Sequence, residues 1–286
     1  MTPPPEPTAL NALTSLTEGA LDRRDGMVVV GVTGAQGSGK STLAAALHRR
    51  MTDRGVMTVT LSLDDFYHTR AERLRLAATV HPLLRTRGVP GTHDVTLALD
   101  TIAALARGEA APLPRFDKAC DDRCPPDEAD RAPAATRLLL FEGWCLGARP
   151  QPAAALAEPI NPLEAVEDRD AIWRHHVNAA LAGDYAALWA RIDALALLRA
   201  PDFASIAGWR QQQEAGLRAV AGDAPGVMSD AQVIHFVAHY ERVTRQLLAE
   251  LPGRADLVID LDRDRAVTRI IVPTSPYCAA TSSVPA

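Results

Sequence analysis

The chain has 286 residues, 47 % of them hydrophobic and 23 % charged, with a formal net charge of −5. That length and apolar content suit one large domain or two small ones around a sizeable core. The acidic balance argues against a general nucleic-acid binder, which needs basic excess to neutralise a phosphate backbone. No apolar run is long enough to span a bilayer.

Residues 1–25 read as a proline-rich extension followed by a helix from Leu10 to Leu21. The start, Met-Thr-Pro-Pro-Pro-Glu-Pro, lacks the basic and apolar regions of a signal peptide. Cys120, Cys124, Cys145 and Cys278 are spaced neither as a disulfide framework nor as a paired zinc hook. The expectation is a soluble cytoplasmic protein with reduced thiols.

Met27–Val32 is a short β-branched run that reads as a buried strand. Behind it lies Gly34-Ala35-Gln36-Gly37-Ser38-Gly39-Lys40-Ser41-Thr42, and then a helix-forming run to His48. Strand, glycine loop and helix are the context of the phosphate-binding P-loop. Glycines let successive N–H groups point at one phosphate chain, and the helix start adds its dipole. Lys40 reaches the β- and γ-phosphates of ATP, and the Ser41 hydroxyl suits Mg²⁺. The chain holds only two lysines, Lys40 and Lys118. Arginine has replaced lysine wherever the two are interchangeable, which they are not where a compact ammonium fits among phosphates. Lys118 is marked out by the same logic.

Val56–Leu63 reads as a second strand, ending in Asp64-Asp65-Phe66-Tyr67. A helix is expected over Ala71–Ala78, then a turn-rich polar stretch to Asp94. A further helix, capped by Asp94 or Thr96, runs to about Arg107. Residues 108–136 are proline-rich and charged, a loop long enough to be either functional or disordered. Arg137–Gly143 is a strand with a terminal carboxylate, Glu142. Residues 150–162 look irregular. Helices are expected over Asp170–Leu181 and Tyr185–Arg191. Ala194–Leu198 reads as strand, with helix the alternative on propensity. Phe203–Val220 is a helix broken at Gly222–Gly226. One helix then runs from Ser229 to about Leu251, with Phe236 and Tyr240 on its apolar stripe. Ala255–Leu261 is a last parallel strand, Val267–Val272 an edge strand, and 273–286 a loose tail.

Alternating strands and helices imply an α/β fold, three layers with a mainly parallel central sheet and helices on both faces. Ligands gather at the carboxyl ends of such strands, so the glycine loop, Asp64–Tyr67 and Glu142 should converge. Glu142 suits the magnesium-associated carboxylate beside Ser41. Asp64 lies where an acceptor hydroxyl needs a base. Asp65 is either structural or supporting. Phe66 and Tyr67 wall a pocket or belong to the core.

Leu61-Ser-Leu-Asp-Asp-Phe-Tyr67 resembles the motif of the uridine kinase, pantothenate kinase and phosphoribulokinase group of P-loop kinases. More narrowly, several stretches are similar to the plant-type D-glycerate 3-kinases and their fungal and bacterial relatives. They are Asp64–Tyr67, Arg85–Asp94, Arg115–Lys118, Phe141–Cys145, Trp209–Glu214 and Tyr240–Arg245. The resemblance spans about Gly26 to Asp262. It implies one P-loop kinase domain over 26–272, with a substrate-side loop at 108–136 and a helical lid at 200–228. It implies that Asp64 is the catalytic base and that Arg210 occupies the place of a lid arginine. It also implies a small-molecule acceptor, D-glycerate, phosphorylated by Mg-ATP to 3-phosphoglycerate. The acceptor's carboxylate wants basic partners, and the loops supply Arg87, His93, Arg115, Lys118 and Arg123 beside Asp65 and Tyr67. Two other readings stand beside this one: a uridine- or pantothenate-like acceptor, and a nucleotide switch or metallochaperone acting through a partner. The acceptor-side Asp64–Tyr67 motif speaks against the switch.

Overall fold

The computed structural model describes residues 8–125, 129–221, 228–273 and 277. The expected break at Gly222–Gly226, the first seven residues, Cys278 and most of the tail lie outside them. The chain runs α1 (Ala9–Asp22), β1 (Val28–Gly34), α2 (Lys40–Asp53), β2 (Thr58–Ser62), a 3₁₀ turn (Leu63–Phe66), α3 (Arg70–Thr79) and α4 (Val95–Ala106). It continues through β3 (Phe116–Asp117), β4 (Asp122–Arg123), β5 (Leu138–Gly143), α5 (Pro162–Glu167), α6 (Ile172–Ala182) and α7 (Asp184–Trp189). The last elements are β6 (Ala194–Arg199), α8 (Phe203–Ala221), α9 (Asp230–Ala238), α10 (Glu241–Glu250), β7 (Leu257–Leu261) and β8 (Val267–Ile271).

Six strands form one sheet in the order β2-β5-β1-β6-β7-β8, parallel except for β8, which pairs antiparallel at the edge. Strand alternation sorts the core into two layers. Val28, Val30 and Val32 of β1, with Leu138 and Leu140 of β5, pack on one face with Leu13 of α1, Leu47 of α2 and Trp209 of α8. Val29, Leu139 and Phe141 face the other way, toward Ile102 of α4, Trp173 of α6, Trp189 of α7 and Val243 of α10. A central strand apolar on both faces can sit only between two helical layers, which is why β1 reads as an unbroken β-branched run.

Parallel pairing sets the site. Val32 of β1 and Ser62 of β2 both lie in register with Glu142 of β5. The glycine loop, the Asp64 turn and Glu142 therefore emerge side by side, as the alternation of strands implies.

Two expectations change. The single helix expected from Ser229 to Leu251 is two, α9 and α10. Tighter bonds from His239 N–H to Phe236 C=O (3.3 Å) and from Tyr240 N–H to Val237 C=O (3.0 Å) close α9. A continuous apolar stripe does not record that break. Within the expected long loop, β3 and β4 form a small antiparallel hairpin, Phe116 opposite Arg123 and Asp117 opposite Asp122. Ala194–Arg199 is strand, buried between β1 and β7.

Candidate active site

The glycine loop turns from β1 into α2 through left-handed residues. Gly37 has φ +78° and Gly39, the N-cap of α2, φ +86°. A side chain at Gly37 would also press on Trp209 Cβ at 3.0 Å. Glycine is needed there for conformation and for space. The first turn of α2 carries Lys40 and Ser41. Ser41 Oγ donates to Glu142 Oε1 at 2.9 Å. Lys40 Nζ stands 3.9 Å from Glu142 Oε2, which is buried without a hydrogen-bond partner. A buried carboxylate oxygen left unbonded costs free energy unless a ligand completes it. A serine hydroxyl and one carboxylate at a phosphate loop are the donor set that Mg²⁺ takes when phosphate oxygens supply the rest. The residues present fit that ion. Among the described residues no cluster of three or more His, Cys, Asp or Glu would hold a metal by itself.

The Asp64 turn is locked by a capping box. Ser62 Oγ accepts from Asp64 N–H (3.2 Å), and Asp65 Oδ2 accepts from Ser62 N–H (2.9 Å). Asp65 is thereby committed to the turn, and Arg115 pairs with the same oxygen at 3.1 Å. Asp64 is left to face the cleft. Tyr67 Oη donates to Asp64 Oδ1 at 2.7 Å, and Lys118 Nζ donates to Oδ2 at 2.6 Å. Burial alone would push the Asp64 carboxyl up. Lys118, Lys40 and the Tyr67 hydroxyl outweigh it, so its pKa lies below the usual value. Asp65 goes the other way, raised by burial against its bonds to Ser62 and Arg115.

Tyr67 is itself held from behind. Its ring stacks on His93 with centroids 4.6 Å apart. His93 Nδ1 meets Tyr185 Oη at 2.5 Å. Burial drops the His93 pKa to about 3, so its ring is neutral. It supplies no charge for a carboxylate; it backs Tyr67.

A cleft of about 680 Å³ joins these parts. Its lining includes Gln36, Gly37 and Gly39–Thr42 of the loop, with Asp64, Tyr67, Arg87, Lys118 and Arg210. Both lysines of the sequence thus open into one cavity. Glu142 reaches it through Ser41. Gly34, Ala35 and Ser38 shape the loop without lining the cleft. Asp65, His93, Arg115 and Arg123, expected as acceptor contacts, do not line it. Arg123 instead donates to Tyr67 C=O (3.1 Å) and pairs with Asp94 (3.2 Å), fastening the β3–β4 hairpin to the Asp64 turn. Short-range competition explains this: each cation found a nearer acidic or carbonyl partner.

Arg87 lines the cleft but pairs with Asp121 and lies 5.4 Å over Phe116. Arg210 lines it too and pairs with Glu214 at 2.8 Å one turn along α8. Its Nε is buried without a partner, and its guanidinium lies 5.5 Å over Phe236. The helix-surface pairing and the cleft position are both true of this residue.

Sequence reading missed Gln212, Gln213, Phe236 and Tyr240, all on the cleft wall made by α8 and α9–α10. Tyr240 Oη donates to Arg87 C=O at 2.9 Å and lies so near Gly88 that any side chain there would collide with it. The signal was a phenol hydroxyl on an otherwise apolar stripe. Arg265, just past β7, closes the far end, 5.5 Å over the Trp209 ring and bonded to Gln212 at 2.7 Å.

No protein-family model matches the chain. It is 37 % identical over 227 residues to the uncharacterized kinase mug58 of Schizosaccharomyces pombe, covering 74 % of this chain and 78 % of that one. It is 32 % identical over 261 residues to the chloroplastic D-glycerate 3-kinase of Arabidopsis thaliana, covering 83 % of this chain and 53 %, about half, of the plant protein. Among solved structures, the D-glycerate 3-kinase of Cryptococcus neoformans superposes with a TM-score of 0.78 at 26 % identity. That match covers 92 % of this chain and 98 % of the fungal one.

Proposed function

The chain belongs to the D-glycerate 3-kinase family of P-loop kinases, and on that premise we propose that its cleft transfers the γ-phosphoryl group of ATP to a hydroxyl of D-glycerate. The observation that carries the chemistry is Asp64. Its carboxylate lies in the same cavity as the glycine loop and is held ionised and oriented by Tyr67 and Lys118.

The loop N–H groups and Lys40 hold the triphosphate, with Gln36–Thr42 around its β- and γ-groups. Ser41 and Glu142 would hold Mg²⁺, which would supply positive charge against the negative charge of the phosphoryl oxygens. Asp64 accepts the proton of the acceptor hydroxyl as its oxygen approaches phosphorus. Arg210, which lines the cleft with an unpartnered Nε, is the cation we assign to the charge that builds on the transferring group. Arg87 and Lys118, the acceptor-side cations that line the cleft, meet the acceptor's carboxylate. Phosphoryl transfer asks for positioning and charge compensation, and this constellation supplies both.

The test is ADP release from Mg-ATP, measured with and without D-glycerate. Stimulation by D-glycerate but not by uridine or pantothenate is expected. Stimulation by uridine alone would move the acceptor to the nucleoside class. Turnover indifferent to every small alcohol would turn the reading toward a switch.

A further inference from the structure

Lys118 makes a contact that a general base does not need. Its side chain is 60 % exposed, yet its ammonium sits 2.6 Å from Asp64 Oδ2. A cation on the proton-accepting oxygen lowers that oxygen's proton affinity. With Tyr67 on Oδ1, both oxygens of the carboxylate are engaged.

The arm that presents Lys118 is fixed. Arg73 is buried and donates to Asp121 C=O at 2.7 Å while pairing with the Asp121 carboxylate at 3.0 Å. Arg70 N–H donates to Asp122 at 3.1 Å. Arg123 ties the same strand, β4, to Tyr67 C=O, and Phe116 of β3 packs edge-on against the Tyr67 ring with centroids 5.1 Å apart. With the turn and β4 held by hydrogen bonds and β3 by ring packing, the part left free to swing is the four-carbon stem of Lys118, which lines the cleft and is largely exposed.

We infer that Lys118 is an acceptor-operated latch on Asp64, closed by the carboxylate of the base and opened by the carboxylate of the incoming hydroxy acid. The inference rests on the anionic-acceptor reading above. With no acceptor present, the ammonium occupies Oδ2, and a water molecule beside the γ-phosphate finds no free base. An acceptor carboxylate exchanges one ion pair for another and draws the ammonium away. The acceptor's hydroxyl proton then passes to Asp64 Oδ2 as its oxygen bonds to phosphorus. The bond from phosphorus to the bridging oxygen breaks, and its electron pair stays on ADP. An uncharged alcohol of the same size brings nothing to open the latch. Lys118 is thus a specificity-determining residue that acts through Asp64 as well as through binding.

The experiment compares ADP release without acceptor in the wild type, Lys118→Met, Lys118→Gln and the double variant Asp64→Asn/Lys118→Met. Both single variants should hydrolyse ATP about fivefold faster or more, and the double variant should lose that gain. The same single variants should raise the KM for D-glycerate about tenfold and narrow the kcat/KM ratio of D-glycerate to glycerol. Hydrolysis unchanged or slower in both single variants would overturn the latch and leave Lys118 a simple acceptor contact. So would a gain that survives in the Asp64→Asn background. A wild type unresponsive to D-glycerate sinks the acceptor assignment instead, and the acceptor-free comparison still decides the latch.

Discussion

The two ends of the cleft are built on opposite plans. The phosphate end is made of main chain and strand termini, and it holds polar atoms without protein partners: Glu142 Oε2, Ser38 Oγ and Thr33 Oγ1 are all buried and unbonded. The acceptor end is made of side chains from separate segments, and its lining cations already have acids, Arg87 with Asp121 and Lys118 with Asp64, as do Arg115 and Arg123 behind them, with Asp65 and Asp94. The first end is complete only when a ligand arrives. The second is satisfied alone, so a ligand there must trade places with a group of the protein. An end with open valences binds by addition, and a self-paired end binds by exchange, which favours selectivity over raw affinity.

Variants at the two ends should separate these plans. The largest effect is expected at the junction. Asp64→Asn should cut turnover by about 10²–10⁴-fold while leaving ATP affinity in an equilibrium titration unchanged. Near-normal turnover would remove Asp64 from the base role and with it the boundary between the two ends. Next comes Arg73→Met, which frees the hairpin without touching either ligand. The expected loss is roughly 2 kcal/mol in a denaturant melt, below that of a fully enclosed pair because Asp121 is half-exposed. The KM for D-glycerate should rise about tenfold with the KM for ATP unmoved. An equal rise in both would mean that the ends are not built independently. The smallest effect is expected from Tyr67→Phe. Loss of the hydroxyl removes a donor that favours the ionised form of Asp64, so its pKa rises. The proton-accepting form then disappears at higher pH, and the acid limb of the kcat/KM profile moves up by roughly one unit. A limb that stays put, or moves down, would detach Tyr67 from the base.

The same contrast decides what could be read from residue order. The phosphate end was legible because its parts are contiguous: a β-branched run, a glycine turn and a helix start need no knowledge of the rest of the chain. The convergence of Asp64 and Glu142 followed from strand alternation alone. The acceptor end depended on pairings across the chain, such as Lys118 with Asp64, and no local pattern encodes them. The β3–β4 hairpin was read as loop because two-residue strands carry no periodicity. It persists because Arg73 grips the Asp121 carbonyl from outside and the hairpin's own Arg123 reaches out to Tyr67 C=O and Asp94. Arg115, Arg123 and His93 were drawn to the acceptor by residue type, whereas nearer partners and burial settled their places. Tyr240 was hidden by its neighbours, since an aromatic on an apolar stripe looks the same whether its hydroxyl meets core or cavity.

That both lysines of this sequence open into one cavity has a practical side. Apart from the terminal amine, an amine-directed acylating reagent finds its targets only there, and it should reach exposed Lys118 before Lys40, whose side chain is 17 % exposed. Mass-spectrometric readout of those two adducts therefore reports occupancy of each end separately, with no tag or engineered probe. Coupling the protein to an amine-reactive sensor surface, by the same token, would anchor it through the cleft that holds both lysines.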